Sequence, residues 1–232
     1  MPGLDVMWRK ADVALLRCLE LAHQSFLAGG LSVGAVIVAG GGERVSEGRN
    51  RAYDPAGGTD RLQRTPIAHA EMNALADIET GTKLGGMTLW SSHRPCVMCA
   101  AACEFTGVGA VIFIAPDPSD DDSGEDPDGI ETKWVIAANL LFLSGVAAYS
   151  GSSSPMIKRA AQREPEITHL MRIADTTLRR PALRDALTPA WPDIQTAARE
   201  RRSRQGTRPV GHPPAKPLPA TARRQASQRQ PR

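Results

Sequence analysis

The chain predicts an α/β protein built in layers, and three observations predict it. Short apolar runs rich in β-branched residues alternate with longer runs at helical spacing. Glycine and proline fall at the joints between them. Over about the first 150 residues the order is helix, two antiparallel strands, helix, strand, helix, strand, helix.

The segment 8–29 has Val13, Leu16, Leu19 and Phe26 near helical spacing and stops at Gly29-Gly30, which predicts the first helix. "LSVGAVIVA" is a nearly continuous apolar run and reads as a buried strand; "GGGE" turns the chain, and "RVSEGRN" is the return strand ending at Asn50. Residues 51–66 are polar and turn-rich, a loop. The segment 69–81 predicts a helix closed by Gly81, and "GMTLWSS" a strand. Pro95 opens a further helix that Gly107 closes, followed by the strand "GAVIFIA". The Pro/Asp/Gly run 116–129 has no core-forming capacity and reads as a solvated acidic loop. Residues 134–149 are apolar but interrupted by Asn139 and Ser144, and fall short of the roughly 20 residues that cross a bilayer. They predict a buried helix. Beyond them, 166–180 and 188–202 read as helix and partial helix, and the chain after about residue 203 as disordered.

The formal net charge of +3 conceals a division. From Arg199 onward there are ten basic residues against one acidic, Glu200, whereas the preceding residues are net acidic. A basic balance confined to one end is weak ground for nucleic-acid binding. That segment also contains no Phe, Trp or Tyr on which a base could stack. Removing everything beyond residue 198 is therefore expected to leave turnover of a small substrate intact. Asp5, Arg9, Lys10 and Asp12 interrupt any apolar leader, so a soluble, cytoplasmic protein without membrane attachment is expected. No P-loop, dinucleotide-binding glycine pattern or G-x-S-x-G elbow competes for a catalytic role.

Of the four cysteines, Cys96, Cys99 and Cys103 lie within eight positions, poor spacing for disulfides and good spacing for a metal. Cys96 and Cys99 begin a helix, where an irregular first turn lets two sulfurs converge and the helix N-terminus favours the thiolate. His69 begins another helix. Two cysteines and one histidine suit Zn²⁺, and three protein ligands leave a fourth position open, the catalytic arrangement. Cys103 is the rival fourth ligand, but it lies a helical turn past Cys99 and reads as a packed side chain, as does Cys18. Glu71, two residues after His69, can flank the metal and move protons. H-x-E with P-C-x-x-C is the signature of zinc deaminases.

Taken in order, "VGAVIV", "EGRNR", "HAEMNAL" and "PCVMCAAA" resemble the cytidine deaminase-like superfamily, nearest the branch of guanine, nucleoside and tRNA adenosine deaminases. The resemblance implies a three-layer α/β/α sandwich with a mixed five-stranded sheet, the fifth strand falling after residue 144. It implies Zn²⁺ on His69, Cys96 and Cys99, and Glu71 as proton shuttle in hydrolytic deamination. It also implies substrate contacts from Asn50 and from the backbone N–H of Ala70. Arg94 stands where relatives of this branch carry glutamate; an anionic substrate group and solvent are both open partners for it.

The expected organisation is a catalytic domain over 1–150, a helical extension over 151–202 and a basic tail over 203–232. The expected substrate is a free nucleobase or nucleoside, purine favoured. A net acidic core and the long 51–66 loop disfavour a docked polyanion. Against this, Arg49, Arg51, Arg61 and Arg64 sit around the entrance and leave tRNA adenosine-to-inosine deamination as the alternative. Cytidine or deoxycytidylate is a further alternative. A catalytically idle interaction module is the least supported, since His69, Glu71, Cys96 and Cys99 are all present. A homodimer is expected from the resemblance alone.

Overall fold

Asp12 divides the first predicted helix in two. Its carboxylate accepts from the Ala14 N–H at 2.7 Å and caps α2 (Val13–Leu27), so α1 (Leu4–Lys10) ends before it. The computed structural model describes residues 2–206 except 56, 59, 61, 119–125 and 175. Part of the predicted acidic loop, Arg61 and most of the basic tail thus lie outside the described residues.

The strands β1 (Gly34–Val38), β2 (Arg44–Arg49), β3 (Thr88–His93) and β4 (Ala110–Ala115) form one sheet in the order β2-β1-β3-β4. β1 runs antiparallel to β2 and β3, and β3 parallel to β4. α3 (Ala70–Ala76) connects β2 to β3, and α4 (Val97–Thr106) is the crossover between the parallel pair. α3 is shorter than the predicted 69–81, because Ile78 N–H bonds back three residues to Leu75 O and tightens the chain out of the helix. Gly107, at φ 77°, terminates α4.

β1 alternates with period two, and each face meets its own apolar cluster. Val36 packs with residues of α2 and of α5 (Thr132–Ser150). Ala35 and Ile37 pack with Ala70 and Ala74 of α3, Leu89 of β3 and Cys103 of α4. Among the described helices, α5 alone has the length and composition to cross a membrane, yet its residues from Lys133 to Val146 are buried in the core.

Two glycines set the distance between layers. A Cβ on Gly34 would lie 2.3 Å from Cys18 O and 2.6 Å from Leu21 Cβ, so β1 lies directly on α2. A Cβ on Gly48 would lie 2.4 Å from Ala70 O and 2.5 Å from Ala74 N, so β2 lies directly on the first turns of α3.

The expected fifth strand does not occur among the described residues. After α5 the chain forms α6 (Pro155–Arg163), α7 (Pro165–Ala174) and α8 (Leu183–Gly206). Ser154 accepts from Ile157 N–H at 3.3 Å, and Pro155 and Pro165 occupy first helical positions, which start helices rather than extend a sheet. α8 continues through Pro189 and Pro192. Pro189 cannot donate to Asp185 O, and the Arg180 Nη1 bonds that carbonyl at 3.2 Å instead.

α8 runs to Gly206, and Arg201 is buried at 3% exposure with its guanidinium on Asp126 and Glu164. A cut after residue 198 would remove Arg201, the cation that Asp126 and Glu164 face. A count of charges along the chain does not reveal that one of them has buried partners.

Replacing Gly48 by alanine is expected to destabilise the fold by about 1–3 kcal/mol, the usual cost of overpacking. A urea denaturation midpoint equal to that of the parent protein would contradict the close approach of β2 and α3.

Candidate active site

His69 and Cys96 are the N-cap residues of α3 and α4, both in extended backbone conformation, and neither side chain caps its own helix. Both are therefore turned to other use. The His69 Nδ1 lies 3.6 Å from Cys96 Sγ and 3.5 Å from Cys99 Sγ. Bonds of about 2.3 Å to sulfur and 2.0–2.1 Å to nitrogen around a tetrahedral centre put S and N about 3.5–3.6 Å apart. One imidazole lone pair cannot accept two thiol protons well, so the matched distances fit an ion better than a pair of S–H···N bonds. All three donor atoms lie within 4.8 Å of one another.

Charge points the same way. Cys99 is fully buried, and burial, then the neighbouring Glu71 charge and Cys96, push its thiol far up. A divalent cation among the donors reverses that cost and deprotonates the thiols. The residues therefore fit zinc. Cys103, 3% exposed, has its thiol raised to about 11 by burial and by Glu71, and stays protonated as a packed side chain.

Glu71 is buried, and its Oε1 accepts from Ser91 Oγ at 2.9 Å. Ser91 belongs to β3, so one strand both steadies this carboxylate and leads into Cys96. The end of β2 is tied to the start of α3 by Arg51 N–H on Ala68 O at 2.9 Å. Asn73 adds to the tie, donating to Arg49 O at 2.8 Å and Ala68 O at 3.3 Å. Both chain neighbours of Asn50, Arg49 and Arg51, are thereby tied to the turn ahead of α3. Asn50 is buried, with its Oδ1 accepting from Ala52 N–H at 3.1 Å and its Nδ2 bonded to no described residue. The Ala70 N–H precedes the first bond of α3, from Asn73 N–H to His69 O, so the helix leaves it available.

Sequence reading passed over Ser91, Ser92 and His93. The signal was three consecutive polar residues closing a strand whose neighbours are apolar, and all three are buried. Ser92 Oγ accepts from Gly34 N–H at 3.1 Å. The His93 ring lies between Ser92 Oγ and Asn139 Oδ1, each at 3.1 Å, and burial lowers its pKa to about 4. His23, bonded to Leu178 O at 2.7 Å, is also lowered by burial.

Two of the arginines expected at the entrance, Arg49 and Arg51, are paired. Arg49 forms a two-pronged pair with Asp54, at 2.9 and 2.5 Å, and Arg51 meets Asp60 at 3.2 Å. Arg94 lies over the Phe113 ring, 5.1 Å from its centroid.

The family described as the cytidine and deoxycytidylate deaminase zinc-binding region matches residues 9–115, which contain all of these donors. The matched residues thus resemble a zinc-binding deaminase region, and the His69, Cys96 and Cys99 group within them is placed to hold zinc. The chain is 33% identical over 110 residues to the tRNA-specific adenosine deaminase of Haemophilus influenzae, covering 46% of this chain and 59% of that protein. It is also 33% identical over 126 residues to the tRNA(Ile)-lysidine synthase of Deinococcus deserti, covering 53% of this chain and 22% of that protein. Less than two thirds of either relative is spanned. Guanine deaminase from Bacillus subtilis superposes with a TM-score of 0.37 and 29% identity, over 46% of this chain and 65% of that one.

Cys96→Ala and Cys99→Ala are expected to purify without zinc, and Cys103→Ala with the parent's zinc content, by elemental analysis. Zinc lost from Cys103→Ala alone would move the ligand set. A second expectation concerns pH. His23 and His93 are held neutral when folded, while the unfolded chain protonates them near 6.5, so it binds more protons below that pH. Stability should therefore fall as pH drops from 6.5 toward 4, and His23→Gln should soften the decline. A decline identical in parent and variant would contradict the burial of His23 as a neutral group.

Proposed function

We propose that the protein is a hydrolytic deaminase of a free nucleobase or nucleoside, with a purine favoured, in which His69, Cys96 and Cys99 hold Zn²⁺. The observation that carries this reading is the Glu71 carboxylate, buried and steadied by Ser91, beside three converging metal donors.

When bound, zinc supplies a Lewis acid that lowers the pKa of a water molecule toward neutrality. Glu71 Oε1 is engaged by Ser91, so Oε2 is the oxygen that carries the proton. It takes one from water as the water oxygen joins the amine-bearing ring carbon, and gives it to the adjacent ring nitrogen. A further proton reaches the amine through the same oxygen, the C–N bond breaks, and ammonia leaves with a carbonyl in its place. Asn50 Nδ2 and the Ala70 N–H are donors suited to orienting the ring.

The paired state of Arg49 and Arg51 supports a small substrate, since their charge at the entrance is offset by Asp54 and Asp60. The tRNA-specific relative at 33% identity supports the second reading, deamination of a tRNA adenosine. A homodimer would cover Val97, Ala101 and Phe105, an exposed stripe at i, i+4, i+8 along α4.

Ammonia release from zinc-loaded protein, measured across purine and pyrimidine bases, nucleosides, deoxycytidylate and a tRNA anticodon stem-loop, tests these readings. Turnover of one base or nucleoside with a silent stem-loop is expected. Turnover confined to the stem-loop would replace the first reading by the second. Glu71→Gln is expected to keep zinc and lose about 10²–10⁴-fold in kcat; full activity in that variant would remove Glu71 from the mechanism.

A further inference from the structure

The geometry points to a buried chain of hydrogen bonds, from α8 to the last residue of β3, that positions the zinc-ligand turn, with His93 as its working end. The inference rests on the reading of His69, Cys96 and Cys99 as the zinc ligands and of Glu71 as the proton shuttle.

The chain begins at Arg201 of α8. Its guanidinium donates to Glu164 Oε1, to Asp126 Oδ1 at 2.7 Å and to Glu166 Oε1 at 3.5 Å. Arg204 also donates to Glu166, and to Arg163 O at 2.9 Å. Glu164 next receives the Asn139 Nδ2 amide, at 2.9 and 3.0 Å from its two oxygens. That fixes which way the Asn139 amide faces, because only Nδ2 can donate to a carboxylate. Its Oδ1 then faces the His93 Nε2 at 3.1 Å, so Nε2 carries the proton and Nδ1 accepts from the Ser92 hydroxyl. Ser92 Oγ in turn accepts from Gly34 N–H. Every link has one donor and one acceptor, and the carboxylate of Glu164 sets the sense of the whole run. The Phe142 ring, 4.7 Å from the His93 ring, packs against it from α5.

The position of His93 gives this run its consequence. Two residues before it, Ser91 holds Glu71, and His93 N–H also reaches Ser91 Oγ at 3.4 Å. Three residues after it stands Cys96. Between them, Arg94 N–H is fixed on Ala115 O at 2.9 Å, and Pro95 has a ring-locked φ. The connection has little slack, so a shift of the His93 ring reaches the sulfur and the carboxylate together. Asn139, Glu164 and Arg201 are all at least nine-tenths buried. Apolar side chains there would avoid the desolvation of buried charge, so stability alone is a poor account of the run. Partners that orient metal ligands from behind typically alter metal affinity or activity about 10–100-fold when removed.

The test uses the full-length chain with His93→Leu, His93→Gln and Arg201→Met, and Ile194→Ala as a core variant of α8 outside the run. Zinc transfer to a chromophoric chelator is measured without substrate; melting temperature, and kcat and KM on the substrate identified above, follow. His93→Leu and Arg201→Met are expected to release zinc about tenfold faster and to lose about tenfold in kcat with KM little changed. His93→Gln, which keeps a donor toward Asn139, should recover both, and Ile194→Ala should lower the melting temperature without changing zinc release. Zinc release from His93→Leu equal to that from Ile194→Ala, or a His93→Gln as impaired as His93→Leu, would overturn the proposal. If Arg201→Met does not fold, the two His93 variants decide the matter. Because zinc transfer needs no substrate, a panel with no turnover would sink the proposed reaction while leaving this inference tested.

Discussion

The convergence of acidic donor groups at one point governs this molecule. Cys96 and Cys99 at the start of α4 and Glu71 in the first turn of α3 are brought together, and burial and mutual repulsion act against ionising the Cys99 thiol. A divalent cation converts that repulsion into attraction, so the metal joins the fold as well as the chemistry. The surrounding architecture serves the convergence. β2 lies on α3 because Gly48 has no side chain, Asn73 and Arg51 tie the strand end to Ala68, and β3 delivers Ser91 and Cys96 from the same strand and its exit turn.

The sheet therefore works as a frame for two helix starts. An α-helix start leaves N–H groups unbonded, and the two helices that carry the candidate donors begin at this point. The His69 and Cys96 side chains make no capping bond of their own, which leaves them free for an ion, and the N–H of Ala70 is free for a ligand. Behind the frame, α5 fills the core, and α7 and α8 pack on it with residues in the same apolar cluster. The C-terminal helices thus share a core with the half that carries the candidate site, and their buried Arg201 meets carboxylates from two other parts of the chain.

Much of this was legible from residue order. The grouping of His69 with Cys96 and Cys99, the glutamate near them, the four strands and the buried character of Cys18, Cys103 and α5 all follow from spacing and apolar periodicity, which are local properties. The five-stranded sheet was borrowed from a resemblance, and the residues after 144 carry helix-starting Ser154, Pro155 and Pro165 instead. Asp12 looked like one polar position in a long helix, and its capping bond makes it a boundary.

What the sequence by itself determined is the chemistry on offer: which donors exist, that two of them begin a helix, and that a carboxylate stands two residues from the third. Those are matters of residue type and short spacing. Only the tertiary structure decided that Arg201 is a buried cation rather than part of a solvated tail, and that Arg49 and Arg51 are offset by Asp54 and Asp60. It also decided that His93 is joined to α8 through Asn139 and Glu164. These facts depend on partners up to 75 residues away, and no local pattern encodes which distant charge a side chain will meet when the chain closes on itself.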